Sequence, residues 1–227
     1  MPRSAPPLTR LLAPRLREAI ADTPAVLIHG ARQSGKTTLA RMVGEPRGYR
    51  YHTFDDDAIR SAALSDPAGF VAELPAKSIL DEVQRVPELF TSLKAAIDRK
   101  RTAGRFILTG SANVLVVPRL ADSLAGRMDI LRLFPLAQVE LAGHKPRFLD
   151  TLFRGKFPTR IAEPLGRELI ERIVAGGYPA ALALRTPARR QAWYRNYIDT
   201  QIQRDVRDLM QVRSLDVLPR LLAVTAS

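Results

Sequence analysis

The chain has 227 residues, 46% of them hydrophobic, no cysteine, and a formal net charge of +12. That length and apolar content suit one α/β domain of ordinary size plus a partial second unit. Disulfides, thiolate metal sites and cysteine nucleophiles are excluded, three scattered histidines (His29, His52, His144) argue against zinc, and no apolar window approaches the ~18 residues of a membrane span.

The first fourteen residues carry no secretory apolar core, and the composition fits a reducing, cytoplasmic compartment. Leu8, Leu11, Leu12, Leu16 and Ile20 then fall at helical spacing, with Pro14 forcing a kink or a restart, so one or two short helices are predicted over 8–22. The apolar run 25–28 predicts a buried strand leading into Gly30-Ala31-Arg32-Gln33-Ser34-Gly35-Lys36-Thr37. This is the P-loop pattern G-x-x-x-x-G-K-[ST], also called Walker A, between a strand and a helix start. Gly30 and Gly35 can adopt backbone angles that turn successive N–H groups onto phosphate oxygens, and the following helix aims its positive end at the same anion. Residues Gly30, Ala31, Arg32, Gln33, Ser34, Gly35, Lys36, Thr37 and Thr38 are therefore the candidate ATP-binding set. Lys36 would reach the β- and γ-phosphates, and the Thr37 hydroxyl would ligate Mg²⁺.

Residues 49–54 alternate as a second strand that runs into Asp55-Asp56-Asp57. These carboxylates read as an N-cap for a helix over 58–64, with Asp55 or Asp56 capping; a metal or base site is the alternative. Asp66-Pro67 has the form of another cap, opening a helix over 68–74. Ser78-Ile79-Leu80-Asp81-Glu82 is a brief apolar strand ending in two carboxylates, the form of Walker B. Asp81 would hold the magnesium, and Glu82 would act as general base on the attacking water. A helix is predicted over 89–101 with Leu89, Phe90, Leu93 and Ile97 on one face.

Residues 105–111 form a further apolar strand, whose end offers Thr109, and second Ser111, as a sensor of the γ-phosphate. A helix or ordered loop broken by Pro118 is expected over 113–124. Arg127 precedes the alternating stretch 128–134, the last core strand. An arginine there is either a finger acting in cis or on a neighbouring subunit, or an ordinary surface residue of an arginine-rich chain; arginine supplies 29 of the 35 basic residues. The boundary between an ATPase core (1–140) and a helical lid with the start of a C-terminal domain (141–227) is placed where the composition changes. Residues 145–167 mix Arg, Lys, Pro and Gly; Gly176-Gly177-Tyr178-Pro179 is a turn between helical stretches. A long helix is predicted over 188–210, with Tyr194, Ile198, Ile202, Val206 and Leu209 as its stripe and Trp193 and Tyr197 beside it. The last 82 residues hold 14 basic and 8 acidic groups, a denser positive charge than the rest, so a DNA or other polyanionic partner, or a protein, is expected there. The apolar end at 221–227 reads as a helix in progress, in a fragment or a shortened form.

Taken together, residues 29–38, 79–84 (Ile-Leu-Asp-Glu-Val-Gln), 107–113 (Ile-Leu-Thr-Gly-Ser-Ala-Asn), 123–127 (Ser-Leu-Ala-Gly-Arg), 134–136 and 176–179 resemble, in kind and in order, a family of prokaryotic AAA-type ATPases with a C-terminal domain of unknown function. The resemblance implies an α/β fold: a RecA-like, AAA-type P-loop NTPase with a parallel five-stranded sheet in the order 5-1-4-3-2, followed by a small α-helical unit. It also implies ATP binding and hydrolysis with Mg²⁺, and it leaves a homo-oligomer open. Family members continue past the position of residue 227 into a winged-helix-like region. The alternatives are a P-loop kinase whose Arg147, Arg154, Arg160, Arg167 and Arg172 clamp phosphate, and a nucleotide-gated DNA- or protein-binding module with little turnover.

Overall fold

A computed structural model describes residues 8–111, 124, 126–155, 166–201 and 224. All but Leu124 of the element expected over 113–124, Arg160, the long helix beyond 201 and, Val224 apart, the apolar end lie outside the described residues. The chain divides into two compact units, residues 1–160 and 161–227.

In the first unit the three continuous apolar runs of the sequence become the buried central strands of a parallel sheet, the pattern expected of strands covered on both faces, and the two alternating stretches become its edges. The strands are β1 (Ala25–His29), β2 (Arg50–Thr53), β3 (Ser78–Asp81), β4 (Phe106–Gly110) and β5 (Met128–Arg132), in the spatial order β2-β3-β4-β1-β5. Read from the other edge this is 5-1-4-3-2, as the resemblance implied. Every pairing is parallel, with Ile28 opposite Thr109, Ala25 opposite Met128 and Thr53 opposite Asp81. Because β4 lies between β1 and β3, the carboxyl ends of the phosphate-loop strand and the Asp81 strand flank the end of the Thr109 strand.

The helices are α1 (Ala13–Asp22), α2 (Lys36–Gly44), α3 (Asp57–Ser65), α4 (Pro67–Glu73), α5 (Leu89–Arg99), α6 (Gln138–Leu141) and α7 (Phe148–Phe153). One face of the sheet buries Val26, Ile28, Ile79, Ile107 and Leu131 with Leu16 and Ile20 of α1 and Leu39 and Val43 of α2. The other buries Leu27, Leu80, Phe106 and Leu108 with Ala63 of α3, Val71 of α4 and Leu89, Phe90, Leu93 and Ile97 of α5. Pro14 neither kinks nor restarts a helix. It sits in the first turn of α1, where its missing N–H would have had no partner. Consequently Leu8 and Leu11, assigned to the helical stripe by spacing, precede the helix and are exposed. Asp56 is the residue that caps α3, accepting from the Ala58 and Ile59 N–H groups, and Asp66 caps α4 through the Gly69 N–H.

The second unit contains α8 (Arg167–Ala175), α9 (Pro179–Leu182) and α10 (Pro187–Gln201). Tyr178 packs on Trp193, Tyr194 and Tyr197 at 5.5, 6.0 and 5.0 Å between ring centroids, and the Tyr194 hydroxyl donates to the Ala175 carbonyl. The aromatic residues of the predicted helix thus pack on the turn that precedes it. Among the described residues, no helix is long and apolar enough to cross a membrane.

Candidate functional site

The loop between β1 and α2 carries the backbone angles its function needs. Gly35 has φ +96°, and a side chain at Gly30 would strike the Leu133 carbonyl oxygen at 2.2 Å. Gln33 also takes a left-handed angle, φ +59°, a place in the loop that motif spacing did not single out. The Lys36 ammonium is 3.1 Å from the Gly30 carbonyl and 3.0 Å from that of Ala31, so its charge stands inside the loop. Ser34 is fully buried; Thr37 and Thr38 open α2. The positive end of α2 and the ammonium share one point, which favours an anion there.

Asp81, 4% exposed at the end of β3, is where the strand ends converge. Its Oδ1 accepts from the Thr37 hydroxyl at 2.7 Å and from the Thr109 hydroxyl. Its Oδ2 accepts from Tyr51 at 2.9 Å and Thr53 at 3.4 Å. The expected metal pair, Thr37 and Asp81, is therefore in direct contact, and the expected sensor Thr109 joins it. Ser111, the second candidate, is buried one residue beyond β4. Sequence reasoning did not identify Tyr51 or Thr53; their signal was the alternation of β2, which placed them on one face without saying that β3 lay beside it. Burial above all, with Asp81 adding to it, pushes the Tyr51 phenol up to about 12, so it remains a donor to the carboxylate. The Arg41 guanidinium lies 4.8 Å over the Tyr51 ring.

Glu82 follows at φ +60°, with Gln33 one of two non-glycine residues at positive φ among those described. Such angles are held by their surroundings and concentrate at functional sites. Here the surroundings are explicit: the Glu82 N–H donates to the Thr109 hydroxyl at 3.2 Å, and the Gln84 amide donates to the Glu82 carboxylate. Gln84, for which motif spacing indicated no role, thus orients the expected base.

Arg127 is not brought to the loop. Met128 pairs with Ala25, at the start of β1, so Arg127 stands at the opposite end of the sheet. There it makes a two-pronged bond to Asp98, at 2.6 and 3.0 Å, which raises its own pKa and lowers that of Asp98. Two arginines of the postulated clamp are likewise engaged, Arg167 with Glu171 and Arg172 with Glu168 along α8.

An arginine the sequence did not single out does reach the loop. Arg10, 6% exposed, donates to the Ser34 carbonyl at 2.8 Å and to the Phe134 carbonyl at 2.5 Å, and pairs with Glu140 at 3.1 Å. The only sequence signal was a charge inside the apolar spacing of 8–20. His29, last residue of β1, is 9% exposed with Nδ1 unpartnered; burial, then Arg132 and Lys36, lower its pKa.

The hydroxyl of Thr37 and the carboxylate of Asp81 form an all-oxygen donor pair, the chemistry Mg²⁺ takes. Among the described residues no cluster of three or more His, Cys, Asp or Glu side chains offers an all-protein metal cage. Mg²⁺ is usually bound by one or two protein oxygens plus substrate phosphates, which is the arrangement this pair allows.

Comparison with known proteins follows the same division of the chain. A family model described as an AAA domain matches residues 22–142, and one described as a domain of unknown function, DUF8612, matches residues 166–227. The chain is 33% identical over 199 residues to the uncharacterized proteins Rv2008c of Mycobacterium tuberculosis and Mb2031c of Mycobacterium bovis. That match takes in 87% of this chain but only 39% of each relative. Among solved structures it is similar to the Walker-type ATPase PABY2304 of Pyrococcus abyssi, at TM-score 0.49 and 17% identity over 96% of this chain and 80% of that one. It is also similar to the AMPPCP-bound DnaA of Aquifex aeolicus, at TM-score 0.43 and 14% identity over 93% and 64% of the two chains.

Proposed function

The chain belongs to the AAA domain family, and from that premise we propose that it binds ATP with Mg²⁺ at the loop after β1 and hydrolyses it, coupling the cycle to a partner. The observation that carries this reading is the contact between Thr37 of the loop and Asp81 of β3, which joins the phosphate-binding and metal-binding chemistries in one site.

Loop N–H groups and Lys36 hold the phosphate chain. Thr37 and Asp81 would hold Mg²⁺, which when bound would offset charge on the phosphate oxygens. Glu82, oriented by Gln84 and by Thr109, takes a proton from the water that attacks the γ-phosphorus; the bond to the bridging oxygen breaks, and ADP and phosphate leave. Arg127, at the far end of the sheet, serves the site of a second copy of the chain. The basic C-terminal third, with Arg185, Arg189, Arg190 and Arg195 among its described residues, is the face for a DNA or protein partner.

Phosphate release from Mg-ATP without an added acceptor tests the reading, and a strict need for a nucleoside or sugar acceptor would replace it with the kinase. Glu82→Gln should keep ATP binding and lose turnover by about 10²–10⁴-fold, because an amide cannot accept the proton. Parental turnover in that variant would place the base elsewhere. Repeating the assay with double-stranded DNA identifies the partner class: stimulation by DNA favours nucleic acid over protein.

A further inference from the structure

Arg10 lies twenty residues ahead of the phosphate loop, outside every motif, yet its guanidinium touches three separate segments. Nη1 donates to the Ser34 carbonyl at 2.8 Å, Nη2 to the Phe134 carbonyl at 2.5 Å, and Nε bonds Glu140 at 3.1 Å. Glu140 is itself fixed, since Oε1 accepts from the Leu11 N–H at 2.6 Å and Oε2 from the Ala137 N–H at 2.9 Å. Both side chains are almost fully buried, at 8% and 5% exposure.

The peptide bond explains why this matters to the loop. A trans peptide is planar, so its C=O and N–H point in opposite directions. A donor holding the Ser34 carbonyl therefore also fixes where the Gly35 N–H points, which is away from Arg10. Gly35 leads directly into Lys36 at the start of α2. A Cβ at Gly35 would come within 3.3 Å of Arg10 Nη1, so the guanidinium also lies against the backbone it orients.

We propose that Arg10 is a positioning residue of the phosphate loop: by holding the Ser34 carbonyl outward, with Glu140 and the Phe134 carbonyl bracing it, it presets the Gly35 N–H for phosphate. The inference rests on the ATP-binding reading above. A buried ion pair is a poor source of stability, because apolar residues of similar volume commonly serve as well. A planar fork that meets three acceptors in three segments is instead a device for fixing geometry, and lysine, a single point charge on a flexible stem, cannot reproduce it.

The test is ATP affinity by calorimetry with Mg²⁺, on the whole chain, for the parent and for Arg10→Lys, Glu140→Gln and Lys36→Ala. Each is measured at a temperature where circular dichroism shows that variant fully folded. Arg10→Lys should weaken ATP binding about tenfold or more, while its ligand-free melting midpoint stays near the parent's. Glu140→Gln, which keeps the shape but loosens the brace, should lose less and carries the same test if Arg10→Lys does not fold. Affinity that falls only in step with the melting midpoint would reduce Arg10 to a structural strut and overturn the inference. A parent that binds ATP, lost in Lys36→Ala but unchanged in Arg10→Lys, overturns it alone. A parent that does not bind ATP overturns both it and the reading beneath it.

Discussion

Individual side chains at the site divide by whether a motif marks their place. The loop residues 30–37, Asp81, Glu82 and Thr109 were legible in the sequence as candidates because each sits at the end of an apolar run, where such a motif places its chemistry. Tyr51, Thr53, Arg10 and Glu140 lie in no such motif and act on residues 24 to 130 positions away, so only the packed chain shows what they touch. His29 provides a test at this scale. Its imidazole titrates near 6.5 in an unfolded chain, while in the folded protein burial, then Arg132 and Lys36, hold it lower. Between those values the unfolded state binds a proton that the folded state does not, so stability is full above the unfolded pKa and falls on acidification. His52, lowered by burial, acts in the same direction. The melting midpoint should therefore drop between about pH 7 and about pH 5.5, above the range in which carboxylates titrate. His29→Gln should make that profile shallower; an unchanged slope would mean that His29 carries no part of it.

Whole elements were more legible, since their signals are caps and periodicity. The Asp-Asp-Asp cluster resolves into three separate tasks: Asp56 caps α3, Asp57 pairs with Arg60, and Asp55 pairs with Arg85. The capping reading of the sequence thus holds, and the one choice left open, Asp55 or Asp56, is decided by which side chain meets the first N–H groups. Asp56→Ala should cost about 1 kcal/mol in a urea denaturation, because it leaves two helix N–H groups without their acceptor. Asp57→Ala should change little, its partner being an exposed i,i+3 ion pair. α1 shows where periodicity misleads. Leu8 and Leu11 keep the helical spacing, yet the helix begins at Ala13, and the stretch before it instead delivers Arg10 to the phosphate loop.

For the molecule as a whole, the placement of Arg127 has the clearest consequence. It precedes β5, at the end of the sheet opposite the loop of its own chain, so a phosphate contact by Arg127 would require a second copy. Turnover per chain should then rise with protein concentration, and Arg127→Ala should abolish that rise; a flat profile in the parent would confine Arg127 to its pair with Asp98. The strand order came from the likeness of ordered motifs to a known family, because periodicity carries no information about which strands are neighbours. What the sequence determined by itself was the places of the strands, the glycine-dependent phosphate loop and the carboxylates at the end of β3, all properties of contiguous residues. The tertiary structure alone decided that β4 lies between β1 and β3, that four hydroxyls converge on Asp81, and that Arg10 and Glu140 meet beneath the loop. Those contacts depend on register and on the packing of distant segments, which no local pattern of residues specifies.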